Sequence, residues 1–218
     1  MPSLQFVQDS YRTPGLIASV VLLCAAATVS AAPAPQAATP PPINTLAAPA
    51  ARADIALLRR ALHTIHPGLY RRASQTQINR AFARLERTAT AEVPDAELYR
   101  AISLLLATIR CTHTKAEQTA SMEAWRTEQR SHLPFRFRLI EGRMIVVSSD
   151  PAHAPLARGT EVLAINGRAV RDLVRTLGVY VSIDGATERS RAHYLGDDGD
   201  LMGANFDHFY PYEYGFTE

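Results

Sequence analysis

Cys111 and His113 stand two residues apart in the segment Ile109-Arg110-Cys111-Thr112-His113-Thr114. A thiol beside an imidazole is the pairing that makes a nucleophile and its base. No neighbouring group is placed to lower the thiol pKa, and a lone Cys closing a Leu-rich helix more often serves as a small core residue. His63 and His66 are three apart on one helix face, a spacing that can grip a metal, but no third ligand accompanies them and His66-Pro67 ends the helix. Asp197-Asp198-Gly199-Asp200 lacks the ligand spacing of a calcium loop and reads as an acidic turn. Ser148-Ser149-Asp150 and Asp184-Gly185 read as turn or cap chemistry. Lys115 is the single lysine of the chain. There is no Gly-rich phosphate loop and no GxSxG nucleophile elbow. No metal and no cofactor are expected.

These side chains need elements to position them. Ile55, Leu58, Leu62 and Ile65 recur at helical spacing over Asp54 to His66, and Pro67-Gly68 stops the helix. Ser74, with Gln77 three residues on, forms a capping box for a second helix with Ile78, Phe82 and Leu85 on its apolar stripe. Its Arg80, Arg84 and Arg87 form a solvated face. A third helix follows Pro94-Asp95 and carries Leu98, Ile102, Leu105, Leu106 and Ile109. A further helical stretch is expected around Met122 to Glu128. The period then changes from 3.6 to 2. Phe135, Phe137 and Leu139 alternate with Arg136, Arg138 and Ile140, Glu141-Gly142 turns, and Met144 to Ser148 returns. Glu161 to Ile165 is a third strand closed by the strong turn pair Asn166-Gly167. Val170 to Leu177 reads as a short helix, as do residues 186–195. Phe206 to Phe216 puts Tyr210, Tyr212, Tyr214 and Phe216 at alternate positions, which predicts a strand with one aromatic face.

Leu16 to Ala27 is an apolar run followed by Val29-Ser30-Ala31-Ala32, the pattern of an export signal cleaved after Ala31 or Ala32. The run is shorter than the roughly 20 apolar residues that span a bilayer. Leu23 before Cys24 is too bulky for a lipidation signal. Ala32 to Ala50 is rich in Pro and Ala and reads as an extended spacer. The net charge of +2 excludes the footprint of a nucleic-acid binder. Once the signal is removed Cys111 is the only cysteine, so no intrachain disulfide forms in the exported chain. The expected location is outside the cytoplasm, in a periplasm, with the membrane involved only through export.

Two segments carry a family resemblance. The first is Val146 to Val170, with Pro151-Ala152, Gly159, Glu161, Ile165-Asn166-Gly167 and Val170. It resembles the latter part of a PDZ-like domain in bacterial processing proteases. The second is His66-Pro67 with Leu69-Tyr70, together with Ile109 to Thr114 at the end of the third helix. It resembles the N-terminal helical segment of the same carboxy-terminal processing (tail-specific) and tricorn-type serine peptidases. The resemblance implies that His113, which follows the hydroxyl residue Thr112, is the general base of a Ser/His site acting on polypeptides. The bland reading is a helix-end His bonded to backbone carbonyls. The nucleophilic Ser of that family lies in a downstream Gly-rich segment, which these residues do not contain, and Lys115 lies in the wrong region for a Ser/Lys dyad.

The expectation is therefore an α+β chain. Residues 1–31 are an export signal, 32–50 a linker, 51–130 a helical segment and 131–182 a small β-rich PDZ-like unit. Residues 183–218 begin a further sheet, because an aromatic strand at a terminus needs covering. The catalytic domain is missing, and the chain reads as the inactive front part of an exported serine peptidase. A stand-alone periplasmic peptide-binding module and a non-functional truncated product are the alternatives.

Overall fold

A computed structural model describes residues 4–7, 44–127, 132–184, 188–196 and 205–215. Among these residues the fold is a mixture of seven helices and two antiparallel sheets, as an α+β reading requires. The first strand, β1 (Leu4–Val7), lies within the predicted signal segment and pairs antiparallel with a later strand of the main sheet. The apolar run 16–27, its cleavage site and Cys24 lie outside the described residues.

The linker predicted to reach residue 50 ends earlier. β2 (Thr45–Leu46) pairs with β3 (Val93–Pro94), and α1 (Ala48–Ile65) starts inside the Pro/Ala stretch. Ala is the strongest helix former, and a Pro in the first turn forfeits no helical hydrogen bond. Ala51 is fully buried, so packing favours the early start. α2 (Gln75–Thr88) begins as predicted. The Ser74 Oγ accepts from the Gln77 N–H at 3.2 Å, and Gln77 Oε1 accepts from the Ser74 N–H at 2.8 Å. α3 (Asp95–Ile109) packs its Leu98, Leu105, Leu106 and Ile109 against Ile55, Ile78, Phe82 and Leu85 of α1 and α2. Each fully buried side chain of this kind contributes about 1.5–3 kcal/mol.

A short helix, α4 (Ala120–Thr127), precedes the main sheet. There β4 (Phe135–Ile140), β5 (Arg143–Ser149) and β6 (Glu161–Ile165) run antiparallel in the order β1-β6-β5-β4, with β7 (Arg168–Ala169) added to β6. Both hairpin turns put two successive residues at positive φ, Glu141 (53°) with Gly142 (78°) and Asn166 (52°) with Gly167 (75°). Their backbone twist matches the twist of the flanking strands. α5 (Val170–Gly178) and α6 (Glu188–Leu195) follow.

The end of the described chain differs from its prediction. Residues 205–214 form a helix, α7 (Asn205–Tyr214), where alternating aromatics predict a strand. Phe206, Phe209 and Tyr210 also satisfy helical spacing, and burial decides between the two periods. Phe206 stands edge-on to Phe137 at 5.4 Å, and Phe209 stacks on Tyr180 at 4.7 Å. Pro211 removes one N–H from the helix interior, and its carbonyl accepts from Gly215, which ends the helix at φ +81°. The described part of 183–218 thus starts no further sheet. Its aromatic face closes the core formed by the main sheet, Tyr99, Met122 and Trp125. Phe216 lies outside the described residues.

Candidate functional site

The loop after α3 carries the residues singled out above. Arg110 takes a left-handed conformation (φ 59°) and turns the chain off the helix axis. Cys111 then fixes the loop through its carbonyl, which accepts from the Ser182 Oγ at 2.7 Å and from the Thr114 N–H at 3.1 Å. At the far end Thr119 donates from Oγ1 to the buried Asp95 at the start of α3. The loop is thereby pinned to both ends of one helix.

Thr112 makes the connection that sequence separation hides. Its N–H donates to Asp184 Oδ1 at 3.1 Å, and its Oγ1 donates to Asp184 Oδ2 at 2.6 Å. These two bonds hold the Asp184 carboxyl below the usual carboxylate range, and the charges of His113 and Arg72 act in the same direction. Asp184, which reads in sequence as turn chemistry, therefore stands beside the predicted base. The Cys111 sulfur, a His113 ring nitrogen and an Asp184 oxygen lie within 4.8 Å of one another. His113 and Asp184 are exposed and Cys111 is half-buried. His113 is exposed to solvent and has a carboxylate alongside, the setting in which an imidazole can take a proton and a nearby anion can stabilise the resulting cation.

The other histidines have different work. His66 Nδ1 accepts from the Gly68 N–H at 3.1 Å, so its neutral ring carries the proton on Nε2 and donates it to Thr114 Oγ1 at 3.0 Å. His63 Nδ1 instead meets the Tyr70 hydroxyl at 2.9 Å. The pair that suggested metal spacing serves the loop and the helix end separately. The acidic run 197–200 lies outside the described residues.

Beneath the loop is a cavity of about 260 Å³, lined on the loop side by Thr112, Thr114 and Lys115. Its inner wall holds Tyr99, Tyr180 and His208. His208, unremarked in sequence, is pushed down to about 4 by burial and by the charge of Arg126. Its Nε2 lies 2.5 Å from the Tyr99 hydroxyl. Burial pushes Tyr180 up to about 12, and its hydroxyl bonds Glu213, which pairs with Arg100 at 2.6 Å. This network locks α7 to α3. A wider groove of about 620 Å³ lies between α3, α5 and α6, with Arg72, Arg110, Arg171, Arg175 and Arg191 among its walls.

No family model, curated protein or solved structure matches the chain. Among the described residues no helix is long and apolar enough to cross a membrane.

Proposed function

We propose that this chain is the N-terminal part of an exported serine peptidase acting on polypeptides, with His113 as its general base. The observation that carries the proposal is the placement of an exposed His113 on the loop after α3 with the Asp184 carboxylate beside it. The carboxylate stabilises the imidazolium that forms when His113 takes the serine proton. On this reading the attacking serine is supplied by a Gly-rich segment of the kind these residues do not contain. The β4-β5 hairpin, β6 with its Asn166-Gly167 turn, and α5 form a PDZ-like unit that holds substrate, and the arginine-walled groove suits an acidic stretch of that substrate.

The test is to read the DNA beyond the Glu218 codon, express the chain with any in-frame continuation attached, and measure cleavage of an unstructured peptide. Cleavage is expected, with His113→Ala lowering kcat by about 100-fold or more. Full activity in that variant removes His113 from the mechanism.

A second reading, a peptide-binding module that works by strand addition, draws on the edge position of β4. Part of that edge is already occupied. A Cβ placed on Gly196, at the end of α6, would lie 3.6 Å from the Leu139 backbone nitrogen. Strand addition would have to displace α6, and an extended peptide that binds without perturbing α6 would count against this reading.

A further inference from the structure

We propose that Cys111, His113 and Asp184 form a binding site for a single zinc-class divalent ion. The donor set itself selects the ion. One sulfur, one imidazole nitrogen and one carboxylate oxygen make up the mixture that zinc accepts, whereas magnesium and calcium call for oxygen ligands throughout. The three donors converge from two distant parts of the chain and already stand within 4.8 Å of one another. A tetrahedral ion with bonds of about 2.0–2.3 Å holds its ligands roughly 3.3–3.8 Å apart. The exposed His113 ring can rotate to close the remaining distance.

The surroundings of the donors support the site. The Thr112 N–H and Oγ1 each donate to one oxygen of Asp184, which orients the carboxylate and leaves each oxygen a further lone pair. Partners of this kind fix metal ligands and raise their affinity. Cys111 is held from behind by the Ser182 and Thr114 bonds to its carbonyl, so its position does not depend on an ion. Three protein ligands leave a fourth position for water, as in sites that remain reactive. No other group of three such donors occurs among the described residues.

The inference goes beyond the peptidase reading and stands or falls by binding alone. The two meet at one atom. A ring nitrogen of His113 that holds an ion is no longer free to accept a proton, so the loaded site withholds the proposed base.

The test uses the full chain with Cys24→Ser, so that Cys111 is the only thiol, stripped of metal with a chelator. Cobalt(II) is then added as a spectroscopic probe. The expected result is a thiolate-to-cobalt charge-transfer band with tetrahedral visible bands that saturate at one equivalent, and their loss on adding one equivalent of zinc. Cys111→Ser should abolish the charge-transfer band. His113→Ala and Asp184→Ala should each weaken zinc binding by about tenfold or more, measured by competition with a chromogenic chelator, and Thr112→Val by about tenfold. His63→Ala, the nearby control, should leave binding unchanged. Absence of the band in a chain whose circular dichroism shows it folded would overturn the proposal. So would a band that survives Cys111→Ser, or zinc binding unaffected by both His113→Ala and Asp184→Ala.

Discussion

His113 and His208 place the same ring in opposite settings on the two sides of one loop. His113 is exposed and faces a carboxylate held by Thr112. His208 is half-buried among Tyr99, Phe209 and Tyr212, with its Nε2 against a tyrosine hydroxyl. Burial and the Arg126 charge set the conjugate acid of His208 at about 4. A ring that weakly basic holds a proton too poorly to serve as a general base near neutrality. The comparison teaches that burial assigns the roles. The packed histidine fastens α7 to α3, and the exposed one is left for the proposed proton transfer or metal binding.

The largest break in this comparison would come from the core side. Phe206 is completely buried, edge-on to Phe137 and stacked with Tyr210 at 5.8 Å. Phe206→Ala is expected to cost about 3–5 kcal/mol, read as a lower midpoint in urea with an unchanged slope. His113→Ala should leave the midpoint where it is. If Phe206→Ala leaves it unchanged as well, α7 is no part of the core and the contrast between the two histidines collapses.

A smaller effect should appear on acidification. The pKa of His208 falls from an unfolded value of about 6.5 to about 4 in the folded chain. Above pH 6.5 the ring is neutral in both states and has no influence on stability. As the pH falls from about 6.5 to about 4 the unfolded chain binds the proton more readily, and stability is lost. Below about 4 the loss is complete, at about 3 kcal/mol. His208→Gln should flatten the decline over that window when urea midpoints are measured against pH. A decline equally steep in the variant would show that His208 is protonated in the folded chain without penalty.

The same opposition explains what the sequence made legible. The β4-β5 and β6-β7 hairpins follow from the residue pairs Glu141-Gly142 and Asn166-Gly167, and the start of α2 from Ser74 and Gln77. Each is a contract between residues at most three apart. The aromatic segment was readable in two periods at once. Its helix is chosen by Phe137, Tyr99 and Tyr180, contacts about 30 to 110 positions away that no local pattern contains. The candidate site divides in the same way. His113 enters as a candidate serine base only through the resemblance of Ile109 to Thr114 to a peptidase family. Asp184 was not legible, because its link to Thr112 spans 72 residues and its own neighbourhood reads as an ordinary turn. His208 is likewise defined by the pocket around it and by nothing beside it in the chain.

The subtlest test asks for no change in sequence. Diethyl pyrocarbonate acylates a neutral imidazole that solvent can reach, and peptide mass spectrometry assigns the modified residue. At pH 7 His208 is in its neutral form, since its acid lies near 4, so by protonation alone it is reactive. Enclosure predicts the reverse. The Nε2 of His208 is occupied by Tyr99, and Gln118 lies 3.2 Å from the same nitrogen. His113 should therefore be modified first in the native chain, and His208 more slowly, accelerating with urea in step with loss of structure. Equal rates in the native chain would mean that the 260 Å³ cavity admits the reagent to its inner wall, and the functional contrast would then rest on the carboxylate beside His113 rather than on burial.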